Sequence, residues 1–156
     1  MKNKNTLYII SFFILVTTNV FGQGQGNIWC FGDSAGIDFN TSPPMPFSSV
    51  FNTEPFNYPN ECAASISDIN GNLLFYSNGS IVWNRNHGIM PNGTGLLSHS
   101  SSTQGVLIIP LPDDSSRYYV FYFDVIPSGF GFYFSLVDMN LDEGLGDIVS
   151  GLKNIK

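Results

Sequence analysis

Short runs of aromatic and β-branched residues, separated by Asn-Gly and Pro-containing turns, recur along this chain and constrain its fold more than any other feature. Residues 63–68 and 73–77 flank Asn70-Gly71, and a second turn at Asn78-Gly79 precedes residues 81–83. An Asn-Gly pair between apolar runs favours a hairpin turn with both central residues at positive φ. The three runs are therefore predicted to form an antiparallel meander.

Further strands are predicted on both sides of this meander. They are residues 27–31, 106–109, 117–124, 130–138 and 148–149, with Pro110 closing the second of them. Residues 40–59 contain five prolines among Ser, Thr and Asn, so this segment is predicted to be an irregular loop and a candidate binding loop. No amphipathic helix is predicted after residue 22.

The strand pattern of residues 63–84 is repeated in outline over residues 106–138. Each unit has a strand, a turn, an aromatic strand, a second turn and a third strand, which is typical of one propeller blade. A closed propeller needs about four or more blades. The predicted fold is all-β, with antiparallel meanders forming an incomplete β-propeller-like domain of one to two blades over residues 23–156.

The first 22 residues have the order of a secretory signal peptide. Lys2 and Lys4 give a positive start, and an apolar stretch over residues 7–16 follows. A membrane-spanning helix needs about 20 apolar residues, and the polar residues 17–19 end this stretch early. The sequence therefore predicts cleavage before Gln23, no membrane insertion afterwards, and an extracellular or outer cell-surface location reached through the periplasm.

Charge and composition exclude several classes of protein. Cleavage removes Lys2 and Lys4, which leaves four basic residues against twelve acidic ones and a formal charge of −8. Nucleic acid is a poor partner for such a surface. Only 12% of the chain is charged while 15% is aromatic, which argues against a disordered segment and favours one domain of packed strands.

Several short segments, spread in order over most of residues 23–156, resemble the N-terminal region of secreted Bacteroidota proteins. The segments are Asn27-Ile28-Trp29, Phe31-Gly32, Ala35-Gly36-Ile37-Asp38-Phe39, Glu61-Cys62-Ala63, Ser67-Asp68-Ile69-Asn70-Gly71-Asn72-Leu73-Leu74-Phe75-Tyr76, Val82-Trp83-Asn84, His87, Met90-Pro91-Asn92-Gly93-Thr94-Gly95-Leu96-Leu97 and Ser100-Ser101-Ser102-Thr103-Gln104. Proteins of that group are large, are propeller-like at this end, and finish with a type IX secretion sorting domain of the gliding-motility-associated kind.

The resemblance implies an exported, propeller-like chain and supplies no catalytic residue. It also implies further blades and a sorting domain beyond Lys156, so the sequence is expected to be a fragment. Cys30 stands where the family more usually has an aromatic residue, and no sorting domain is present in the 156 residues.

One enzymatic hypothesis arises at Phe31-Gly32-Asp33-Ser34, which resembles the nucleophile block of GDSL esterases. A nucleophilic serine needs a base and an orienting acid, and that family supplies them as Asp-x-x-His. Neither His87 nor His99 has an aspartate three residues before it. A turn is therefore the favoured interpretation of Ser34, and a secreted esterase is kept as an alternative function.

Two acidic clusters offer oxygen ligands for calcium. Asp68, Asn70 and Asn72 alternate as in calcium loops, but Gly71 comes too early for an EF-hand and no glutamate follows at the twelfth position. A hairpin turn explains the first cluster, and a solvated turn explains the second, which is Asp142, Glu143 and Asp147. No metal and no cofactor are predicted.

Three further features each leave two interpretations open. Cys30 and Cys62 form either a disulfide in an oxidising compartment or two buried free thiols. Asn40, Asn78 and Asn92 begin glycosylation sequons, which in a bacterial chain are turn residues. Several aromatic residues could stack on sugars, although core packing is the default for most of them: Trp29, Trp83, Tyr118, Tyr119, Tyr122 and Tyr133.

The functional prediction is a secreted or cell-surface binding and scaffolding module without enzymatic activity. Its expected partner is a cell-surface protein or a glycan. Alternatives are an esterase that uses Ser34 and a set of purely structural blades. Because an incomplete ring leaves sheet edges open, the isolated chain is expected to be poorly stable or to self-associate.

Overall fold

The computed structural model describes residues 23–32, 34–50, 62–99, 102, 104–124 and 131–156. These residues form three antiparallel sheets and two short 3₁₀ turns, Gly24–Gly26 and Asp142–Gly144, with no α-helix among them. The all-β, antiparallel prediction is confirmed. The predicted signal peptide, the second half of the predicted 40–59 loop and Phe130 lie outside the described residues.

Each sheet is a simple meander of consecutive strands. The first contains β1 (Ile28–Cys30), β2 (Ala35–Asp38) and β3 (Met45–Ser48). The second contains β4 (Ala64–Ser67), β5 (Leu73–Ser77) and β6 (Val82–Asn84). The third contains β7 (Val106–Leu111), β8 (Asp114–Asp124), β9 (Gly131–Asp138) and β10 (Asp147–Ile148).

The first sheet corrects two predictions, namely the count of one to two meanders and the irregular loop over residues 40–59. β3 lies within that predicted loop and pairs with β2, placing Pro46 opposite Ile37. Proline is tolerated because β3 is an edge strand, whose outer side needs no ladder donor. Gly36 lowers the strand propensity of β2, yet a Cβ there would lie 2.4 Å from the Phe47 ring, so packing across the sheet requires glycine.

The Asn70-Gly71 turn also differs from its prediction. Only Gly71 has a positive φ, of 88°, because the turn begins two residues earlier, at Asp68. The Gly71 amide donates to the Asp68 carbonyl at 3.0 Å and the Asp68 amide donates to the Asn72 carbonyl at 2.8 Å. This is a type I turn followed by a left-handed glycine, the usual form of a three-residue hairpin loop.

The edge strand β7 continues through Pro110, which had been predicted to close it. Pro110 pairs with Tyr118, and the register shifts between Pro110 and Leu111. Edge strands and bulges are the two places where a sheet accepts proline. The strand therefore ends at Leu111, two residues beyond its predicted end at Ile109.

The second sheet is buried on both faces, because the other two sheets cover it. Phe75 and Val82 join one buried cluster with the third sheet, while Tyr76 and Trp83 join another with the first sheet. All four side chains are at most 1% exposed. Burying a large apolar side chain stabilises a fold by about 1.5–3 kcal/mol, so these two clusters hold the three sheets together.

The first strands of the three sheets are neighbours, with β1 beside β4 and β4 beside β7. A polar bridge links the first two of these strands. The Ser65 hydroxyl donates to the Ile28 carbonyl at 2.7 Å, and its oxygen accepts from the Cys30 amide at 3.3 Å. The sheets are thus arranged in sequence order, each with its first strand on the same side of the stack.

The last residues of the chain fasten the third sheet to the segment that precedes it. The Asn154 side chain accepts from the Tyr122 hydroxyl at 2.7 Å and from the Leu97 amide at 3.1 Å, and it donates to the Gly95 carbonyl. The Lys153 ammonium donates to the carbonyls of Asn92 and Thr94. Residues 92–97 are therefore held against the chain end.

Candidate functional site

A cavity of about 320 Å³ opens at the seam between the first and second sheets. We call it the seam pocket. Apolar side chains form most of its wall, and two polar ones, Asp38 and His87, complete it. The apolar lining residues are Ile28, Met45, Pro46, Phe47 and Leu73. A concave, mostly apolar site with a few polar groups is the usual form of a small-molecule site.

His87 is held in the seam pocket by an unusual backbone conformation. Its φ is 63°, in the left-handed region that non-glycine residues seldom adopt. The Asn84 carboxamide oxygen fixes the loop by accepting from the amides of Asn86 at 3.0 Å and Gly88 at 3.1 Å. The imidazole stacks on Phe47, with the ring centroids 6.4 Å apart.

Tyr76 contacts one ring nitrogen of His87. The Tyr76 hydroxyl lies 2.9 Å from Nδ1 of His87, and burial raises the pKa of Tyr76 above its ordinary value. The phenol therefore keeps its proton. This contact occupies Nδ1, so Nε2 is the ring nitrogen that remains for a ligand, as a donor or an acceptor according to the tautomer.

A second candidate surface is the side of the third sheet that faces away from the second sheet. We call it the outer aromatic face. Its apolar side chains alternate along β7, β8 and β9 with the buried ones of the core, and the Arg117–Asp138 ion pair lies at one end of the same face. The apolar side chains are Leu107, Ile109, Tyr119, Phe121, Phe123, Phe132 and Phe134. Phe121 stacks on Phe132 at a centroid distance of 5.4 Å.

The candidate esterase serine is not joined to a histidine. Ser34 has a φ of 62° and its carbonyl accepts from the Ser49 amide, so it is a turn residue directly before β2. Its hydroxyl has no hydrogen bond to His87 or His99 in the part of the chain that the structure describes, and His87 is bonded to Tyr76. The esterase hypothesis stays a prediction that this geometry does not support.

In the first acidic cluster, the Asp68 carboxylate accepts hydrogen bonds from its own turn. The Asp68 carboxylate accepts from the amides of Asn70 at 2.8 Å and Asn72 at 2.9 Å, and from the Asn72 side chain at 2.9 Å. Burial raises the pKa of Asp68, but these hydrogen bonds outweigh that effect and hold it below its ordinary value. The carboxylate thus serves as a turn acceptor.

The second acidic cluster is split between solvent and core. Asp142 and Glu143 are exposed in a 3₁₀ turn, whereas Asp147 is buried in β10. The Asp147 carboxylate accepts from the Asn92 amide, the Asn92 side chain and the Ile148 amide. No group of three metal-ligating side chains occurs among the residues described.

The two cysteines are free and buried, which is the second of the two interpretations left open by the sequence. Cys30 lies in the cluster between the first and second sheets, and Cys62 lies in the cluster on the opposite side of the second sheet. Burial raises the pKa of Cys30 to about 12 and of Cys62 to about 11. Neither thiol has the thiolate character that a nucleophile needs.

The remaining sequence-predicted residues have mainly structural positions. The side chains of Asn40, Asn78 and Asn92 all make hydrogen bonds within or between turns. Trp83, Tyr118 and Tyr122 are core residues, and Tyr119 and Tyr133 are partly buried. Trp29 is 49% exposed beside Phe31 and Phe39, so only this tryptophan presents a ring to solvent.

Comparison with known proteins assigns neither a family nor a function to the chain. No protein-family model matches the chain, and neither the curated proteins nor the solved structures contain a significant match. Among the residues described, no helix has the length and apolar character needed to cross a membrane.

Proposed function

We propose that this chain is an exported, non-enzymatic scaffolding and binding module whose sheets stack like consecutive blades of an incomplete β-propeller. In a propeller, successive meanders pack face to face around a common axis. Three features support this arrangement: meanders in sequence order, first strands that are neighbours, and a middle sheet buried on both faces.

The observation that carries the scaffolding role is the outer aromatic face. Phe123 and Phe132 are 47% and 50% exposed, and Leu107 is 56% exposed. A contiguous apolar patch of this kind marks an interaction surface in a soluble protein. Since the first and third sheets both pack on the second through apolar faces, the natural occupant of the outer aromatic face is another antiparallel sheet. For the isolated chain, that sheet comes from a second copy.

Self-association of the chain tests this proposal. The double substitution Phe123→Glu and Phe132→Glu places two carboxylates in the centre of the outer aromatic face. We expect it to raise the dimer dissociation constant by at least about 30-fold, the effect of losing one aromatic hot spot. Sedimentation velocity over a dilution series measures the change.

Ile69→Glu is the matched control, because Ile69 is 69% exposed in the hairpin turn after β4 and is not one of the residues of the outer aromatic face. This variant should associate like the unmodified chain. A strict monomer before any substitution, or an equal loss of association in the control, would contradict the proposed assembly surface.

A further inference from the structure

We propose that the seam pocket binds an amine, that is, a ligand with an apolar body and a protonated amino group. The proposal is independent of the scaffolding role, since the seam pocket lies between the first two sheets and the outer aromatic face lies on the third. Its argument rests on the shape of the pocket, on one unpaired charge and on one ring nitrogen of the lining histidine.

The apolar wall selects the body of the ligand. Met45, Pro46 and Phe47 come from the edge strand β3, while Ile28 and Leu73 come from β1 and β5. The cavity of about 320 Å³ is at the lower end of the range for small-molecule sites. It suits a single ring or a short alkyl chain, and Phe47 offers a ring face on which a cation is also stabilised.

Asp38 selects the charge of the ligand. One carboxylate oxygen accepts from the Asn40 amide at 2.7 Å. The other oxygen accepts no hydrogen bond, and the carboxylate has no ion-pair partner, within the described ranges of the chain. Asp38 is half-buried at the rim of the pocket, and its negative charge attracts an ammonium group and repels a second carboxylate.

His87 adds an orienting group. Because Tyr76 contacts Nδ1, Nε2 is the ring nitrogen left to a ligand, and it has no partner among the residues described. In the tautomer with its proton on Nε2, the imidazole donates to an acceptor next to the amino group, such as a hydroxyl or carbonyl oxygen. The amine can belong to a free small molecule or to the lysine side chain of a peptide.

Calorimetric titration with three phenylethyl probes tests the proposal. Phenethylamine, 2-phenylethanol and hydrocinnamate share a phenyl ring but carry a cation, a neutral group and an anion. We expect phenethylamine to bind at least about tenfold more tightly than the alcohol, as one charge-assisted hydrogen bond provides, and the anion to bind least. A short lysine peptide with blocked ends separates the peptide source from the free amine.

Two variants connect binding to the pocket. Asp38→Asn keeps the oxygen that holds Asn40, so the fold should melt unchanged while amine binding falls about tenfold and alcohol binding stays the same. Met45→Lys places an ammonium at a residue that is 57% exposed and should also exclude the amine. Three results would each overturn the proposal. They are equal affinity for amine and alcohol, no binding of any amine probe, and unchanged amine binding by Asp38→Asn.

Discussion

Replacing Phe75 by alanine is expected to lower the free energy of unfolding by about 3–5 kcal/mol. Phe75 is fully buried between the second and third sheets and packs edge-to-face on Tyr118 at 5.5 Å. The substitution removes the ring and leaves a cavity that two rigid sheets cannot close. Because domains of this size are stable by only about 5–15 kcal/mol, much of the population should unfold.

Urea denaturation followed by circular dichroism measures this effect. Ile69→Ala is the control, since an exposed side chain contributes little, and it should change the free energy of unfolding by less than about 0.5 kcal/mol. Equal midpoints for Phe75→Ala and the unmodified chain would mean that the second and third sheets do not share a core.

Replacing Asp147 by alanine should be the most damaging change to a polar side chain. Its carboxylate accepts from the Asn92 amide at 2.8 Å, the Asn92 side chain at 2.6 Å and the Ile148 amide at 2.8 Å. Their loss frees the segment before the third sheet from β10. We expect a cost of about 3 kcal/mol, because hydrogen bonds to a buried charge are strong and their donors are left unpaired.

Asp142→Asn controls for the loss of one negative charge nearby in the sequence, because the Asp142 side chain is exposed in the 3₁₀ turn before β10. It should leave the thermal midpoint nearly unchanged, whereas Asp147→Ala lowers it by several degrees. If the two variants have the same thermal midpoint, the carboxylate of Asp147 acts only as a surface charge.

Local patterns were enough to predict the strands that are bounded by turns or formed by long aromatic runs. β5 was predicted at its observed bounds, residues 73–77, and β8 was recognised from its aromatic run. The alternation on β8 also separates Tyr118 and Tyr122 in the core from Phe121 and Phe123 on the outer aromatic face. Alternation of this kind depends only on residues that are neighbours in the sequence, so it can be recognised from a single sequence.

In the first sheet only β1 was predicted, within residues 27–31; β2 and β3 were not, since their stability depends on contacts distant in sequence. Gly36 and Pro46 both lower local strand propensity, and only the packing of Phe47 over Gly36 and the edge position of β3 explain them. The Asn70-Gly71 turn did carry a usable signal. Asp68 stands three residues before Gly71, the spacing of a type I turn.

The seam pocket escaped sequence analysis for the same reason. Asp38 ends β2, and His87 follows β6 in a different sheet. No spacing rule joins them, because the packing of the first sheet on the second brings them to one cavity. In the sequence analysis His87 was weighed as a catalytic base and as part of the family resemblance, and its contact with Tyr76 has no marker in the sequence.

Hydroxyl-radical footprinting over a concentration series tests the central claim, that the outer aromatic face is an assembly surface. Phe121, Phe123 and Phe132 should become protected as concentration rises, because a second sheet covers them. Trp29 and Phe39, which are 49% and 42% exposed on the first sheet, should react equally at all concentrations. Constant reactivity of the outer phenylalanines, or protection of Trp29 and Phe39 instead, would contradict the account.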